Sequence, residues 1–217
     1  MKLLPPALPS EFERPGDFAV LAAEAARQGE RLERLLAEGV TITGADLSGL
    51  SLEGVRLRSC RLLDCDLSRW DLTDVSFQDC DLSGSTFAGG VWCRCAVEDC
   101  RLTGTDLHRC GFQHTVFQDC KCAYANFSAQ RAKLCRWKGC DLSHAVMANC
   151  QWRQAAFTQC NLTGVSFFQT PLNGLDMTSC RLEGLILSEQ GAELQGVIVD
   201  RWQAGELARR MGIVIRE

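Results

Sequence analysis

Seven cysteines, Cys60, Cys80, Cys100, Cys120, Cys140, Cys160 and Cys180, stand twenty residues apart. Inside that interval runs a five-residue beat whose middle slot is apolar. It holds Leu47, Leu52, Leu57, Leu62, Leu67, Leu72, Phe77, Leu82 and Phe87, and continues to Leu187. The slot recurs without insertion from Ile42 to Leu187, thirty pentads in all. A period of five nested in a period of twenty gives four short sides to one turn. The chain therefore predicts a square coil that returns to the same edge every twenty residues. Seven and a half such coils at about 4.8 Å each make a rod of about 36 Å. Inward side chains fill its narrow core and leave no cavity for a cofactor or a small-molecule substrate. The weakest stretch is the Gln130–Leu134 pentad, where Gln130 is polar in an inward slot and Ala132 is small for the centre; a local bulge is expected there.

A stack of coils held by nearest-neighbour pairing needs a cap at each end. Residues 1–40 read as a helical N-terminal cap. An apolar stripe of Phe18, Leu21, Ala25, Leu32, Leu35 and Leu36 crosses one or two helices between Asp17 and Glu38. Asp17 is the expected N-cap, Gly29 a break and Gly39 the terminator. Residues 41–199 form the repeat region, with Leu194–Val199 as a last partial coil. Residues 200–217 read as a tail: a short helix capped by Asp200, then Gly212 and a strand of Ile213, Val214 and Ile215. A short apolar edge strand wants a partner. It either folds back onto its own last coil or builds a twofold homodimer through Trp202, Leu207, Met211, Ile213, Val214 and Ile215, and the homodimer is the one expected.

Twelve of the fourteen cysteines fall two residues before the central apolar slot, where other coils place Ala45, Val55, Val75, Ser85 or Ala125. Cysteine acts there as a small buried hydrophobe. Neighbouring coils bring Cα atoms within bridging range, but parallel Cβ vectors lie farther apart than the ~3.8 Å a disulfide prefers. Reduced thiols follow. The first ten residues are too short and too broken by Pro5, Pro6 and Pro9 for a secretory signal, and no stretch is long enough to span a bilayer. A cytoplasmic location is expected.

The repeats carry a resemblance. Ala45-Asp46-Leu47-Ser48-Gly49, Cys65-Asp66-Leu67-Ser68-Arg69 and Ala125-Asn126-Phe127-Ser128-Ala129 resemble the pentapeptide-repeat family over about two thirds of the chain. The tail Leu194-Gln195-Gly196-Val197, with Trp202-Gln203 and Met211-Gly212-Ile213-Val214-Ile215, resembles that of the Qnr quinolone-resistance proteins. The start, Met1-Lys2-Leu3-Leu4-Pro5-Pro6, and the run Cys120–Phe127 resemble the Gram-positive, enterococcal Qnr group.

The resemblance implies an all-β solenoid, a right-handed quadrilateral β-helix that dimerises through its C-termini. It implies a non-catalytic protein that binds DNA gyrase and topoisomerase IV by imitating duplex DNA and so protects them from quinolones. Two rods end to end would span about 70 Å, comparable to roughly twenty base pairs. Gram-negative Qnr proteins carry projecting insertions, for which the unbroken register leaves no room.

Two acidic patches are the candidate topoisomerase-facing surfaces. Asp46, Asp66 and Asp106 share one slot of nearby coils; Asp79, Glu98, Asp99 and Asp119 gather across three successive coils. The competing reading is that Asp and Asn occupy these slots because they satisfy turn backbone. Charge is uneven along the rod. Residues 42–119 hold twelve acids and seven bases, whereas 120–189 hold four acids and seven bases, among them Lys121, Arg131, Lys133, Arg136, Lys138 and Arg153. A C-terminal dimer would thus not be acidic at its middle. A general interaction scaffold is the alternative function. A nucleic-acid partner, acting through the basic stretch, is the least expected because net charge is −4.

Enzyme chemistry lacks a constellation. His108, His114 and His144 fall on three different faces, no cysteine pair has zinc-like spacing on one side of the rod, and no glycine-rich phosphate loop joins a strand to a helix. No metal or cofactor is expected.

Overall fold

A computed structural model describes residues 2–216. The chain winds as the nested periods predict. Two of the four sides are seven-stranded parallel ladders of three-residue strands. The first face runs from Arg31–Glu33 through Gly111–Gln113 and Arg131–Lys133 to Gln151–Arg153. The second runs from Leu36–Glu38 through Ala96–Glu98 to Ala156–Thr158. Every strand pair is offset by twenty residues, as in Leu52↔Leu72 and Phe117↔Trp137.

The third and fourth faces are mostly single bridges between turns, such as Arg101↔Lys121 and Asp106↔Asn126. The sequence explains the difference. On these sides the residue before the apolar centre is often Asp or Asn, and its side-chain oxygen accepts the N–H two residues on: Asp46 from Ser48, Asp66 from Ser68, Asp81 from Ser83, Asn126 from Ser128. A local bond of this kind competes with the ladder and bends the chain into a turn.

At each corner from Arg34 to Gly174 the last pentad residue takes a positive φ. Glycine fills many of these positions, but Asp79, Asp99 and Asp119 adopt φ of 54°, 55° and 53°. Asp and Asn tolerate this left-handed region better than most residues.

The core is one continuous column. Leu47, Leu52, Phe77, Trp92, Phe117, Phe127 and Phe167 are buried at its centre. Phe117, Trp137 and Phe157 stack nearly parallel, with centroids 5.8 and 4.7 Å apart. All fourteen cysteines are free. Most of the corner thiols donate to the carbonyl twenty-three residues earlier, Cys120 to Val97 and Cys160 to Trp137 among them. Ser85, Thr105 and Thr170 make the same bond from the same slot. Where the slot holds cysteine, serine or threonine, its small side chain thus supplies one donor to that carbonyl.

Several expectations need correction. The N-terminal helix spans only Phe18–Gln28, capped by Asp17 and closed by Gly29 at φ 68°. Arg31–Glu33 and Leu36–Glu38 are already ladder strands, so the coil begins about ten residues before Ile42. Leu32, Leu35 and Leu36 fit a helical stripe only because pentad spacing also places apolar residues three to four apart. No bulge forms at Gln130–Leu134; Arg131–Lys133 pairs in register on both sides. Gln130 stays fully buried with both amide atoms unpaired, so the register wins over one local cost.

At the other end, the partial coil forms with two extra residues: Asp176 bridges Ile198, and Ala192–Leu194 make one 3-10 turn. Helix Arg201–Arg210 follows, its Asp200 cap completed by Gln203. The Gln203 amide also donates to the Met177 and Cys180 carbonyls and so seals the last coil. Residues 213–216 form no strand. Ile213 instead donates its N–H to the Ala208 carbonyl. No helix is long and apolar enough to cross a membrane, among the described residues.

Candidate interaction surfaces

The two acidic patches fall on opposite sides of the third face. Asp79, Asp99 and Asp119 form a column at the corner between the second and third faces, one coil apart, or about 4.8 Å between successive Cα atoms. Glu98 ends the neighbouring strand. Asp46, Asp66 and Asp106 lie beyond the opposite corner, on the fourth face, with Thr86 between Asp66 and Asp106 and Asn126 next in line. The carboxylates therefore edge one side of the rod and do not converge on a point.

Their bonding separates them. Asp46, Asp66 and Asp106 each hold a turn, accepting from Ser48, Ser68 and His108. The Ser48 N–H and hydroxyl hold the Asp46 carboxyl below its ordinary range. Asp106 also meets the His108 ring at 2.8 Å and the Asn126 amide at 3.0 Å. This patch does the structural task that turn chemistry alone would assign to it.

The corner column does not. Among the described residues, Asp79, Asp99, Asp119 and Glu98 make no side-chain hydrogen bond and no ion pair (their neighbour Asp81 faces Arg101 at 3.7 Å). Asp79, Asp99 and Asp119 edge a shallow hollow of about 480 Å³ shared with Ser59, Arg61, Asp81, Arg101 and Lys121. The Asp119 carboxylate lies over Gly139, in the space a Cβ there would need. Glycine at 139 lets that carboxylate lie along the corner.

The tail presents the other candidate surface. Trp202 is 72% exposed and Val214 84%, and Met211, Ile213 and Ile215 are exposed as well. So many large apolar side chains in one short segment exceed what scattered surface residues account for. Leu207 differs from the other five: it is buried in the core of its own chain and fixes the helix to the rod.

One feature escaped sequence reasoning. Residues 2–13 run as a strap along the corner between the first and second faces, against the direction in which the coils advance. Leu4 donates its N–H to Nδ1 of His114 at 3.1 Å. Ala7 donates to Asp74 at 2.8 Å, and Asp74 also accepts two bonds of 2.6 Å from Arg94. Pro9 lies over Gly54, and Glu13 pairs with Leu35. The strap buries Asp74 and His114, which would otherwise be open corner residues. Burial pushes the Asp74 carboxyl up, but the Arg94 guanidinium and the Ala7 N–H outweigh it and hold it below the ordinary range. The signal in the sequence was the three prolines, which favour an extended chain and carry no N–H to satisfy.

Thirteen of the fourteen thiols are buried, Cys93 being the exception. Burial pushes the Cys95 and Cys110 thiols up to about 12. Among the described residues no cluster of His, Cys, Asp or Glu has the arrangement to hold a metal ion.

Comparison with known proteins agrees with this architecture. A family model described as pentapeptide repeats (8 copies) matches residues 51–89, and one described as a pentapeptide repeat region matches residues 90–167. Together they cover just over half of the chain. Full-length QnrB1, a plasmid-mediated fluoroquinolone resistance protein, is 28% identical over 85% of this chain and 96% of its own, with a TM-score of 0.54. A trypsin-treated variant of QnrB1 is 26% identical over 84% of this chain and 92% of its own, also at 0.54. No curated protein matches the chain.

Proposed function

This chain belongs to the pentapeptide-repeat family, and from that premise we propose that it is a non-catalytic rod that docks on type II topoisomerases and protects them from quinolones. DNA gyrase and topoisomerase IV are the partners. The unpaired column of Asp79, Asp99 and Asp119, with Glu98 beside it, carries the reading: charges at regular intervals stand in for phosphates before a basic enzyme groove. Similarity to QnrB1 along nearly its whole length supports it. Asp46, Asp66 and Asp106 contribute to the field but are engaged in their turns. The tail joins two rods into a homodimer through Trp202, Met211, Ile213, Val214 and Ile215. The site of action is the cytoplasm, where gyrase works.

The test is binding of purified gyrase subunits to the wild type and to a variant with Asp79→Asn, Asp99→Asn and Asp119→Asn. These substitutions keep a residue suited to positive φ. The reading expects binding to weaken at least tenfold and to fall with ionic strength. Equal affinity for both proteins overturns it. A general interaction scaffold is the second reading, favoured by one observation: the twenty-residue register leaves no projecting loop between Arg31 and Ile186.

A further inference from the structure

The total charge of −4 conceals a separation of charge. On the first and second faces, the coils of residues 111–118, 131–138 and 151–158 contain no carboxylate but five cations, Arg131, Lys133, Arg136, Lys138 and Arg153. All five are exposed, and none forms an ion pair among the described residues. In the acidic half, by contrast, Arg31, Arg58, Arg94 and Arg101 each face a carboxylate.

The cations are close together. Lys133 and Arg153 are register partners on adjacent strands, about 4.8 Å apart at the backbone. Arg131 and Lys133 on one face, and Arg136 and Lys138 on the next, are each separated by two residues of strand, about 6.6 Å. Arg131, Lys133 and Arg153 rim a groove of about 1040 Å³ whose other polar lining includes Gln113, Asn149 and Gln151. Such repulsion is costly for a fold to retain without a counter-charge.

We infer that this basic edge binds the phosphodiester backbone of nucleic acid. The geometry disfavours a peptide. Strands 131–133 and 136–138 are paired on both sides, so no free edge accepts an added strand. The strands of these three coils also lack the exposed large apolar residues that an amphipathic helix would bury against. Regularly spaced cations with amide donors between them suit a regularly spaced anion. The acidic corner repels the same polyanion and confines contact to this part of the rod. The inference is independent of the topoisomerase reading.

The test is fluorescence anisotropy of a labelled 20-base-pair duplex with the full chain at 50 and 200 mM salt, with no topoisomerase present. Four phosphate contacts give a log–log salt slope of about −3.6, hence a loss of roughly 150-fold between those salts. The variant Arg131→Gln, Lys133→Gln, Arg136→Gln, Lys138→Gln should lose nearly all of that slope. Lys133→Gln alone, a milder surface change, should lower it by about 0.9. No binding at 50 mM salt, or a slope that neither variant alters, overturns the inference. Displacement of the duplex by polyglutamate at an equal charge concentration also overturns it, because the edge would then bind any acidic partner.

Discussion

Replacing Asp74 by alanine separates the structural use of a corner aspartate from its absence. Asp74 and Asp79 occupy equivalent last-slot positions, with φ of 57° and 54°. Asp74→Ala and Asp79→Ala therefore carry the same backbone penalty, which cancels in the comparison. Asp74 accepts two bonds from Arg94 and one from the Ala7 N–H, and is 7% exposed. Removing one partner of a buried charge pair costs about 3–5 kcal/mol. The Arg94 side chain is 32% exposed and recovers water when freed. That lowers the expectation to about 2–3 kcal/mol. The loss falls on the docking of the strap, because the coils pair with one another without it.

Hydrogen exchange at the Ala7 amide should accelerate roughly 30- to 150-fold in Asp74→Ala. The Val116 amide, bonded to the Cys95 carbonyl inside the ladder, should keep its protection. Asp79→Ala should change neither amide, remaining within about 0.5 kcal/mol. Equal effects of the two substitutions would refute the assigned role of the strap. A matching loss of protection at Val116 would refute its independence from the coils.

Other outcomes follow from the same geometry. In native protein a disulfide-exchange thiol reagent should react first at Cys93, the one cysteine that is not buried, and reach the other thirteen only on unfolding. The Asp74 carboxyl is held below its ordinary value when folded, so its contribution is complete above about pH 4 and is lost as pH falls through the lower folded value. The Ala7 amide resonance should hold its position from pH 7 to about pH 4 and shift only below it. Replacing Trp202 and Ile213 together by polar residues should halve the mass measured by size-exclusion light scattering; an unchanged mass would place the dimer contact elsewhere.

The repeat was legible because the periodicity is enforced at every coil. A one-residue slip would turn every inward side chain outward, so Leu, Phe and Cys must recur on schedule. The free state of the cysteines was legible for the same reason, since parallel stacking fixes Cβ directions. The beginning of the coil was not, because Leu32, Leu35 and Leu36 satisfy a helical stripe and a pentad alike. The strap was missed because its contacts are long-range, Leu4 with His114 being 110 residues apart. No local pattern encodes such a contact. For the acidic patches, composition located the carboxylates but could not separate the turn-holding Asp46, Asp66 and Asp106 from the unpaired Asp79, Asp99 and Asp119. That distinction depends on which N–H each oxygen reaches. The tail shows the converse: the apolar residues of a strand are present, but residues 213–216 form none, and the Ile213 N–H goes to the Ala208 carbonyl instead.

The most direct measurement is a gyrase supercoiling assay inhibited by ciprofloxacin, with the purified protein titrated in. The account predicts that supercoiling recovers at low micromolar protein and that Asp79→Asn, Asp99→Asn, Asp119→Asn restores it poorly. Supercoiling that stays inhibited at every protein concentration would contradict the account.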